Sequence, residues 1–359
     1  MCFDVTFVTS SGGGFLSVRK EKKPSVLAHE KASFSGVSSV GGDGFAPITI
    51  DNCNMVFSAL QGEIDTKFTP KKEQTIILSD VYEAIDLKSR SSRVSSCGSY
   101  LEFHVTDSEK KLHQANFCRD RLCPMCNWRR SLKIFGQVSR VMDVLEANGY
   151  RFLFLTLTVR SCSADELPET VQILFDGWRY LYHKHKRVKQ SVCGSFRSLE
   201  VTRNSRTGLF HPHLHVILAV KPDYFSGRKY ISQAEWGQIW RSSCSLDYDP
   251  IIDIRTIKPN SRGISGAVAE VSKYAVKSTD FLHGSMNDKI SFVSAFLSAL
   301  TGRRLCSFTG VFSKVRRDLN FDDVETGDLV NVDGSELRPD VSYLVVRYSW
   351  RSGVYVSSE

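Results

Sequence analysis

Residues 196–220 read FRSLEVTRNSRTGLFHPHLHVILAV, and this stretch decides the fold prediction. Two runs of strand-forming residues, Phe196–Arg203 and Phe210–Val220, flank the turn formers Asn-Ser-Arg-Thr-Gly, a pattern that predicts a β-hairpin. Side chains alternate along a strand, so the histidines of the second run are expected on one face. These histidines are His211, His213 and His215.

The first strand of the hairpin supplies a carboxylate to these histidines. If the turn centres near Arg206, paired residue numbers sum to about 413, which places Glu200 opposite His213. Two imidazoles and one carboxylate, with open coordination positions, suit a Mg²⁺ or Mn²⁺ ion that also holds a phosphate. Zn²⁺ is the alternative metal, and a histidine-rich surface strand is the explanation without a metal.

The elements around the hairpin indicate the fold class. The order along the chain is β-α-β-β-α-β-α, which predicts an α+β fold with an antiparallel sheet covered by helices, not a doubly wound parallel sheet. The supporting patterns are an amphipathic helix from Trp128 to Leu145, a strand at 151–160, a helix at 167–181, a capping box from Ser232, a strand at 251–257 and a helix at 265–277.

The helix at 265–277 carries reactive side chains. Glu270, Tyr274 and Lys277 share one helical face at spacings of four and three. A tyrosine hydroxyl can attack a phosphodiester when a metal or cation offsets the charge, and Lys277 is positioned to help. Glu270 could act as general base for a later hydrolysis. An ordinary salt-bridged helix surface is the alternative.

A cysteine cluster precedes the first amphipathic helix. A structural Zn²⁺ site of four thiolates is predicted, with reduced thiols in a packed corner as the alternative. Its members are Cys97, Cys118, Cys123 and Cys126. The basic residues beside it are expected to contact DNA phosphates, with a solvated helix face as the alternative. They are Arg119, Arg121, Arg129, Arg130 and Lys133.

Composition narrows the class of protein. The 359 residues carry a formal net charge of +8 and 42% hydrophobic residues, which favours a folded protein with a polyanionic partner. The beginning of the chain does not read as a secretory signal, and no apolar run approaches the length of a membrane span. We therefore expect a cytoplasmic protein with no membrane partner, whose cysteines remain reduced.

Changes in residue composition along the chain suggest four segments. Residues 1–90, rich in Ser, Gly and Lys, are expected to form a poorly ordered extension. The Cys-rich element and basic helix span 93–149, the core with the histidine hairpin spans 150–310, and a C-terminal segment spans 311–359. An acidic group in that last segment predicts a protein contact or a solvated surface; it comprises Asp322, Asp323, Glu325 and Asp328.

Three motifs in order resemble those of plasmid initiators of rolling-circle replication, whose nickase domain carries a histidine-hydrophobe-histidine (HUH) motif. They are Phe154–Val159, His211–Leu218, and Lys273-Tyr274 to Lys277 with Asp280. The likeness covers about residues 93–328, and the cysteine cluster is also typical of this family. The resemblance implies a ferredoxin-like sheet, metal binding by His213 and His215, Tyr274 as the single nucleophile, and Glu270 as the group that prompts terminating hydrolysis.

The resemblance also implies a reaction and partners. The enzyme would nick one strand of single-stranded or hairpin origin DNA, leaving a 5′-phosphotyrosine link and a free 3′ hydroxyl that primes a host polymerase, with a host helicase as a further partner. Because the phosphotyrosine link retains the phosphodiester energy, later strand transfer and closure need no nucleotide cofactor.

Two other functions fit parts of the sequence. A single-strand transposase or a conjugative relaxase uses the same metal and tyrosine chemistry, although the third motif has one tyrosine with Glu270 where a second might stand. A non-enzymatic, zinc-dependent DNA-binding regulator would explain the cysteines but not the histidine hairpin. The sequence leaves the origin sequence and the oligomeric state open.

Overall fold

A computed structural model describes most of the chain from residue 58 onward. The described ranges are 6–8 (backbone), 58–106, 109–258, 261–273 (backbone only for 261–263), 282–332 and 343–357. Within these ranges, no helix combines the length and apolar character needed to cross a membrane.

The described strands and helices alternate through much of the chain. The strands are β1 (Thr6–Val8), β2 (Tyr100–Val105), β3 (Lys110–Ala115), β4 (Arg151–Thr158), β5 (Val192–Arg203), β6 (Phe210–Val220), β7 (Ile252–Thr256), β8 (Cys306–Thr309), β9 (Tyr343–Arg351) and β10 (Val354–Ser357). The α-helices are α1 (Thr69–Ala84), α2 (Lys88–Ser95), α3 (Pro124–Ala147), α4 (Leu167–His183), α5 (Lys186–Ser191), α6 (Gln233–Ser243), α7 (Ser261–Val271), α8 (Met286–Leu300) and α9 (Gly310–Asp318).

The chain divides into two compact units, and the first is built from three separate stretches, 1–70, 100–115 and 337–359. Its antiparallel sheet has the order β1-β9-β2-β3, and β10 also pairs with β9. The buried ring of Phe103 meets Phe68 and Tyr348 edge to face, at centroid distances of 5.7 and 6.2 Å. These aromatic contacts form the core of the unit.

The second unit, residues 71–99 and 116–336, holds the histidine hairpin. Its five-stranded antiparallel sheet has the order β7-β4-β6-β5-β8. The segment β4-α4-β5-β6-α6-β7 therefore places its first and third strands in the middle, as in ferredoxin-like domains. The predicted α+β class with an antiparallel sheet covered by helices is confirmed.

The two faces of this sheet differ in chemistry. One face packs against α4 and α8: the Phe175 ring of α4 lies 4.4 Å from the guanidinium of Arg197 on β5, and Phe210 of β6 meets Phe292 and Phe296 of α8. The other face carries His213 and His215, which are buried together with Glu200. α7 contacts β6 on that histidine face.

Local signals account for several element ends. α3 begins with Pro124 in its first turn, where the missing N–H is tolerated, and it ends before Gly149, whose φ is +78°. Ser232 forms the predicted capping box with Glu235 at the start of α6. These predictions are confirmed within a few residues.

The prediction of a poorly ordered extension over residues 1–90 is corrected for residues 58–90. There the chain forms a π-helical turn at Ile64–Phe68, then α1 and α2. Lys72, Thr75 and Ser79 lie on the buried side of α1 and hide the apolar period that marks a helix. Residues 1–57 lie outside the described residues, apart from the backbone of β1.

The predicted segment boundaries at 93, 150 and 310 also differ from the observed units. β2 and β3, which lie within the predicted Cys-rich segment, belong to the sheet of the first unit, where β2 pairs with the C-terminal strand β9. Pairing between strands more than two hundred residues apart has no local signal, because it depends on contacts that the sequence does not order.

Candidate metal and catalytic site

The hairpin register brings a carboxylate and two imidazoles together. Glu200 pairs with His213 across β5 and β6, as predicted from the turn position. The Glu200 Oε2 atom lies 3.0 Å from Nε2 of His215 and 3.5 Å from Nε2 of His213, and the two Nε2 atoms are 3.1 Å apart. Three candidate ligand atoms therefore converge on one point.

The opposite ring nitrogens of both histidines have neighbours that orient the rings. Nδ1 of His213 lies 3.1 Å from the carbonyl oxygen of His211, which fixes it as a donor. Nδ1 of His215 lies 3.3 Å from Oγ1 of Thr156 on β4. Such contacts leave each Nε2 lone pair free for a cation. Thr156 suits any β-strand, so no local pattern indicates its contact with His215.

The spacing of the three ligand atoms fits a divalent ion. Two atoms each about 2.1 Å from an ion and at right angles to one another lie about 3.0 Å apart, and a tetrahedral angle gives about 3.4 Å. The observed separations of 3.0, 3.1 and 3.5 Å span this range. The residues fit Mg²⁺, Mn²⁺ or Zn²⁺ by distance alone.

A second carboxylate lies next to this site. Oε1 of Glu270, at the end of α7, is 3.6 Å from Nε2 of His215, and the Nζ atom of Lys273 is 2.5 Å from the same oxygen. The Glu270 side chain is 37% exposed, so solvent reaches it. The predicted Tyr274 and Lys277 lie outside the described residues, as does the predicted end of this helix.

His211 occupies the next position outward on the histidine face. Its ring lies 5.4 Å from that of His213, and its Nδ1 is 3.3 Å from Oγ of Ser161. Burial, and then the neighbouring His213, lower the pKa of His211. The imidazole is therefore kept neutral near neutral pH, which suits a polar group beside a cation.

The four predicted cysteines converge in the second unit. Their Sγ atoms lie within 4.8 Å of one another, with separations of 3.5 Å (Cys97 to Cys123), 3.6 Å (Cys97 to Cys126) and 3.7 Å (Cys118 to Cys126). A tetrahedral ion with bonds of about 2.3 Å to sulfur separates its ligands by about 3.8 Å. A disulfide needs about 2.05 Å, so these thiols match a zinc site instead.

The surroundings of the cysteine cluster suit thiolates. The backbone N–H groups of Cys118, Arg119 and Asp120 donate to Sγ of Cys97, Cys126 and Cys118, at 3.2 to 3.4 Å. Fully buried Lys72 donates from Nζ to the carbonyl oxygens of Ser95 and Cys97, at 2.5 and 2.9 Å. Burial lowers the pKa of Lys72, and the nearby thiols oppose that change. Donors and a cation thus surround the sulfur atoms.

The prediction that the basic residues contact DNA phosphates is wrong for three of them. Arg129, Arg130 and Lys133 are each less than 8% exposed. Arg129 donates to the carbonyls of Leu329 and Val330, and Lys133 lies 2.5 Å from the carboxylate of Asp322. Their cationic groups bind carbonyl and carboxylate oxygens of residues 322–330, and these contacts anchor that segment to α3.

The other two basic residues differ from each other. Arg121 is partly buried and donates to the carbonyl oxygens of Leu300 and Arg303. Arg119 is exposed, with a φ of +60°, and its contact with DNA stays a prediction. The acidic group was predicted to form a protein contact or a solvated surface, but two of its members form ion pairs within the chain: Asp323 with Arg304 and Glu325 with Arg121.

Comparisons with known proteins agree on one family. The model of a family described as "Replication protein" matches residues 109–356. The chain is similar to a "Protein rep" of Bacillus amyloliquefaciens, 37% identical over 313 residues that cover 79% of this chain and 91% of the relative. A "Protein rep" of Streptococcus pneumoniae serotype 2 is 35% identical over 303 residues, covering 82% and 93%. No solved structure matches the chain.

Proposed function

The chain belongs to this family of replication proteins, and we propose that it initiates rolling-circle replication of a plasmid by nicking one strand of the origin. The observation that carries the proposal is the convergence of Glu200, His213 and His215, with Glu270 beside them. Because the relatives are named as replication proteins, we infer that the substrate is DNA. A site of imidazoles and carboxylates of this kind suits phosphodiester chemistry.

Glu200, His213 and His215 would hold the divalent ion. When bound, Mg²⁺ or Mn²⁺ supplies positive charge that polarises the scissile phosphate. The imidazole orientation set by Thr156 and by the carbonyl of His211 keeps the ligand atoms in place before DNA arrives. Little reorganisation is then needed when the phosphate binds.

Tyr274 is the proposed nucleophile. Its hydroxyl oxygen attacks the phosphorus, the bond from phosphorus to the 3′ oxygen breaks, and the 3′ oxygen leaves with a proton as a free hydroxyl. The tyrosine gives up its own proton in the same exchange, so charge and atoms balance. Lys277 offsets negative charge on the phosphate. The product is a 5′-phosphotyrosine link, and the 3′ hydroxyl primes a host polymerase, with a host helicase opening the duplex.

Glu270 is the proposed base of the terminating step. Its carboxylate accepts a proton from a water molecule, the water oxygen attacks the phosphotyrosine phosphorus, and Tyr274 leaves. Support comes from its position 3.6 Å from Nε2 of His215 and from its contact with solvent. Lys273, whose Nζ atom lies 2.5 Å from Oε1, pairs with this carboxylate and limits the positions that it can take.

The cysteine cluster is proposed to hold a structural Zn²⁺ ion. It would fix the start of α3, whose N-cap residue is Cys123, against the two loops that carry Cys97 (before β2) and Cys118 (after β3). Replacing Cys118 with Ser should release zinc, measured by mass spectrometry of dialysed protein, and lower the melting temperature. Zinc content equal to that of the wild type would refute this site.

A cleavage assay tests the nickase proposal. A labelled single-stranded oligonucleotide from the chain's own origin is incubated with Mg²⁺, with Mn²⁺ and with chelator. Cleavage should need the metal, should be lost in His215→Ala, and should persist as a single turnover in Glu270→Gln, which cannot complete hydrolysis. Metal-independent cutting would contradict the site assignment, and binding without any cutting would favour a DNA-binding regulator.

A further inference from the structure

The histidine face of the sheet is closed at one side and open at the other. Along one row of paired positions, Asp253 on β7 is exposed, Thr156 on β4 is half-buried, and His215 on β6 is buried. In the neighbouring row, exposure falls in the same direction from half-buried Thr158 to His213 and Glu200. The site therefore opens toward the edge strand β7.

The exposed residues at this edge are held in place by their backbone. Ile251 is 82% exposed, yet its carbonyl oxygen accepts a hydrogen bond of 2.5 Å from Oγ1 of Thr158. The Ile251 side chain, just before β7, is therefore accessible to a base or sugar that passes along this edge. We call Asp253 and Arg255 of β7, together with Ile251 just before it and the neighbouring Thr158 of β4, the β7 strip.

Arg255 supplies the cation of the β7 strip. Its side chain is 67% exposed and lies 3.2 Å from the carboxylate of Asp253, which is 51% exposed. Its guanidinium also lies 5.3 Å from the ring of Phe154 on β4, so it sits over the histidine face. Asp253 balances this charge in the free protein, and a phosphate would compete with it for the guanidinium.

The β7 strip lies near the metal ligands on the same face of the sheet. β7 and β6 are separated by β4, which places Asp253 about 10 Å from His215 across the sheet, and Arg255 lies about 7 Å farther along its strand. α7 covers the β6 side of the same face, with Glu270 at its end. A strand whose scissile phosphate reaches the ligand atoms can continue over the open β7 side.

We infer that the β7 strip is a binding track for single-stranded DNA, with Arg255 contacting a backbone phosphate a few nucleotides from the scissile bond and Ile251 contacting a base or sugar. This inference rests on the proposed nickase function. Asp253 opposes binding, because its carboxylate repels the phosphate and holds the guanidinium that the phosphate needs.

The salt dependence of DNA binding tests the inference without requiring cleavage. Fluorescein-labelled oligo(dT) is titrated with the full chain without added Mg²⁺ or Mn²⁺ and without chelator, which would remove zinc from the cysteine cluster. The logarithm of the affinity is plotted against the logarithm of the salt concentration. Arg255→Gln should weaken binding severalfold and reduce the slope by about 0.7, the value for one phosphate contact on single-stranded DNA. Asp253→Asn should change affinity in the opposite direction.

Arg179→Gln is the matched control. Arg179 is 69% exposed and lies 2.9 Å from Asp176 on α4, the helix on the opposite face of the sheet, so the same charge change there should leave the slope unaltered. Equal slopes for wild type and Arg255→Gln, or equal losses in Arg255→Gln and Arg179→Gln, overturn the track. Absence of metal-dependent nicking by the wild type overturns the nickase proposal instead, whatever the slopes.

Discussion

Replacement of Glu200 by Gln removes one of three candidate ligands with little change of shape. Because losing a group that only orients a ligand weakens metal binding about 10- to 100-fold, losing the ligand charge itself should weaken it at least about 100-fold, or about 2.7 kcal/mol. The effect should be large because Glu200 is 3% exposed and lies within 3.5 Å of both histidine Nε2 atoms.

Thermal unfolding in a Mn²⁺ titration measures this loss. At Mn²⁺ about 100-fold above the wild-type Kd, binding stabilises the wild type by about 2.7 kcal/mol, which raises the melting temperature by about 5 to 10 °C. Glu200→Gln should gain only about 0.4 kcal/mol under the same conditions, or about 1 °C. Mn²⁺ is a hard ion that binds thiolates poorly, so the cysteine cluster contributes little.

Glu169→Gln, on the exposed surface of α4, provides the control for the change of charge. It should respond to Mn²⁺ like the wild type. If Glu200→Gln gains as many degrees as the wild type and Glu169→Gln, Glu200 is not a ligand and the argument from the hairpin register fails.

Three further outcomes are expected. Thr156→Val removes the hydroxyl beside Nδ1 of His215 and should weaken Mn²⁺ binding about 10-fold; isothermal titration showing unchanged affinity would contradict the orienting role. Gly310→Ala should lower the free energy of unfolding in urea by about 3 kcal/mol, since φ is +54° and the new Cβ would overlap the carbonyl oxygen of Cys193, whereas Gly266→Ala in α7 meets no atom and should not destabilise the protein. For Asp323, burial opposes ionisation, but hydrogen bonds from Arg304 and two backbone N–H groups outweigh it and lower the pKa to about 2. A lowered carboxyl pKa stabilises the fold above about pH 4 and is lost as pH falls toward 2, so Asp323→Asn should cost about 1 to 2 kcal/mol near pH 7 and about half as much near pH 3; an equal cost at both would refute the ion pair.

The hairpin was predictable because its signals are local. The turn formers after Arg203 and the alternation around His213 together set the register, and the register alone places Glu200. The same reasoning predicted the α+β class, the end of α3 at Gly149 and the start of α6 at Ser232, where glycine and capping residues act over a few positions.

Charge patterns were less informative than periodicity. Arg129, Arg130 and Lys133 looked like a basic DNA-binding surface, yet each charged group is buried against the segment at 322–330. A sequence shows the sign of a charge but not which distant carbonyl or carboxylate satisfies it. The contact of Thr156 with His215 was missed for a related reason, since it crosses from β4 to β6 and involves a residue that also suits any strand.

The members of the cysteine cluster were predictable from sequence, but their surroundings were not. The Cys-x-x-Cys pair at the start of α3, with Cys97 and Cys118 before it, indicated a site of four thiolates, and the fold brings all four sulfur atoms within 4.8 Å. Buried Lys72 could not be anticipated, because its partners are main-chain carbonyl oxygens.

Trapping of the covalent intermediate tests the central claim most directly. A single-stranded origin oligonucleotide labelled on the 3′ side of the nick is incubated with Mn²⁺ and resolved on a denaturing protein gel. The wild type should carry the label in a heat-stable adduct, and Tyr274→Phe, with unchanged melting temperature and unchanged oligonucleotide binding, should carry none. An adduct of equal yield in Tyr274→Phe, or cleavage by the wild type with no adduct at any time, would contradict the tyrosine mechanism.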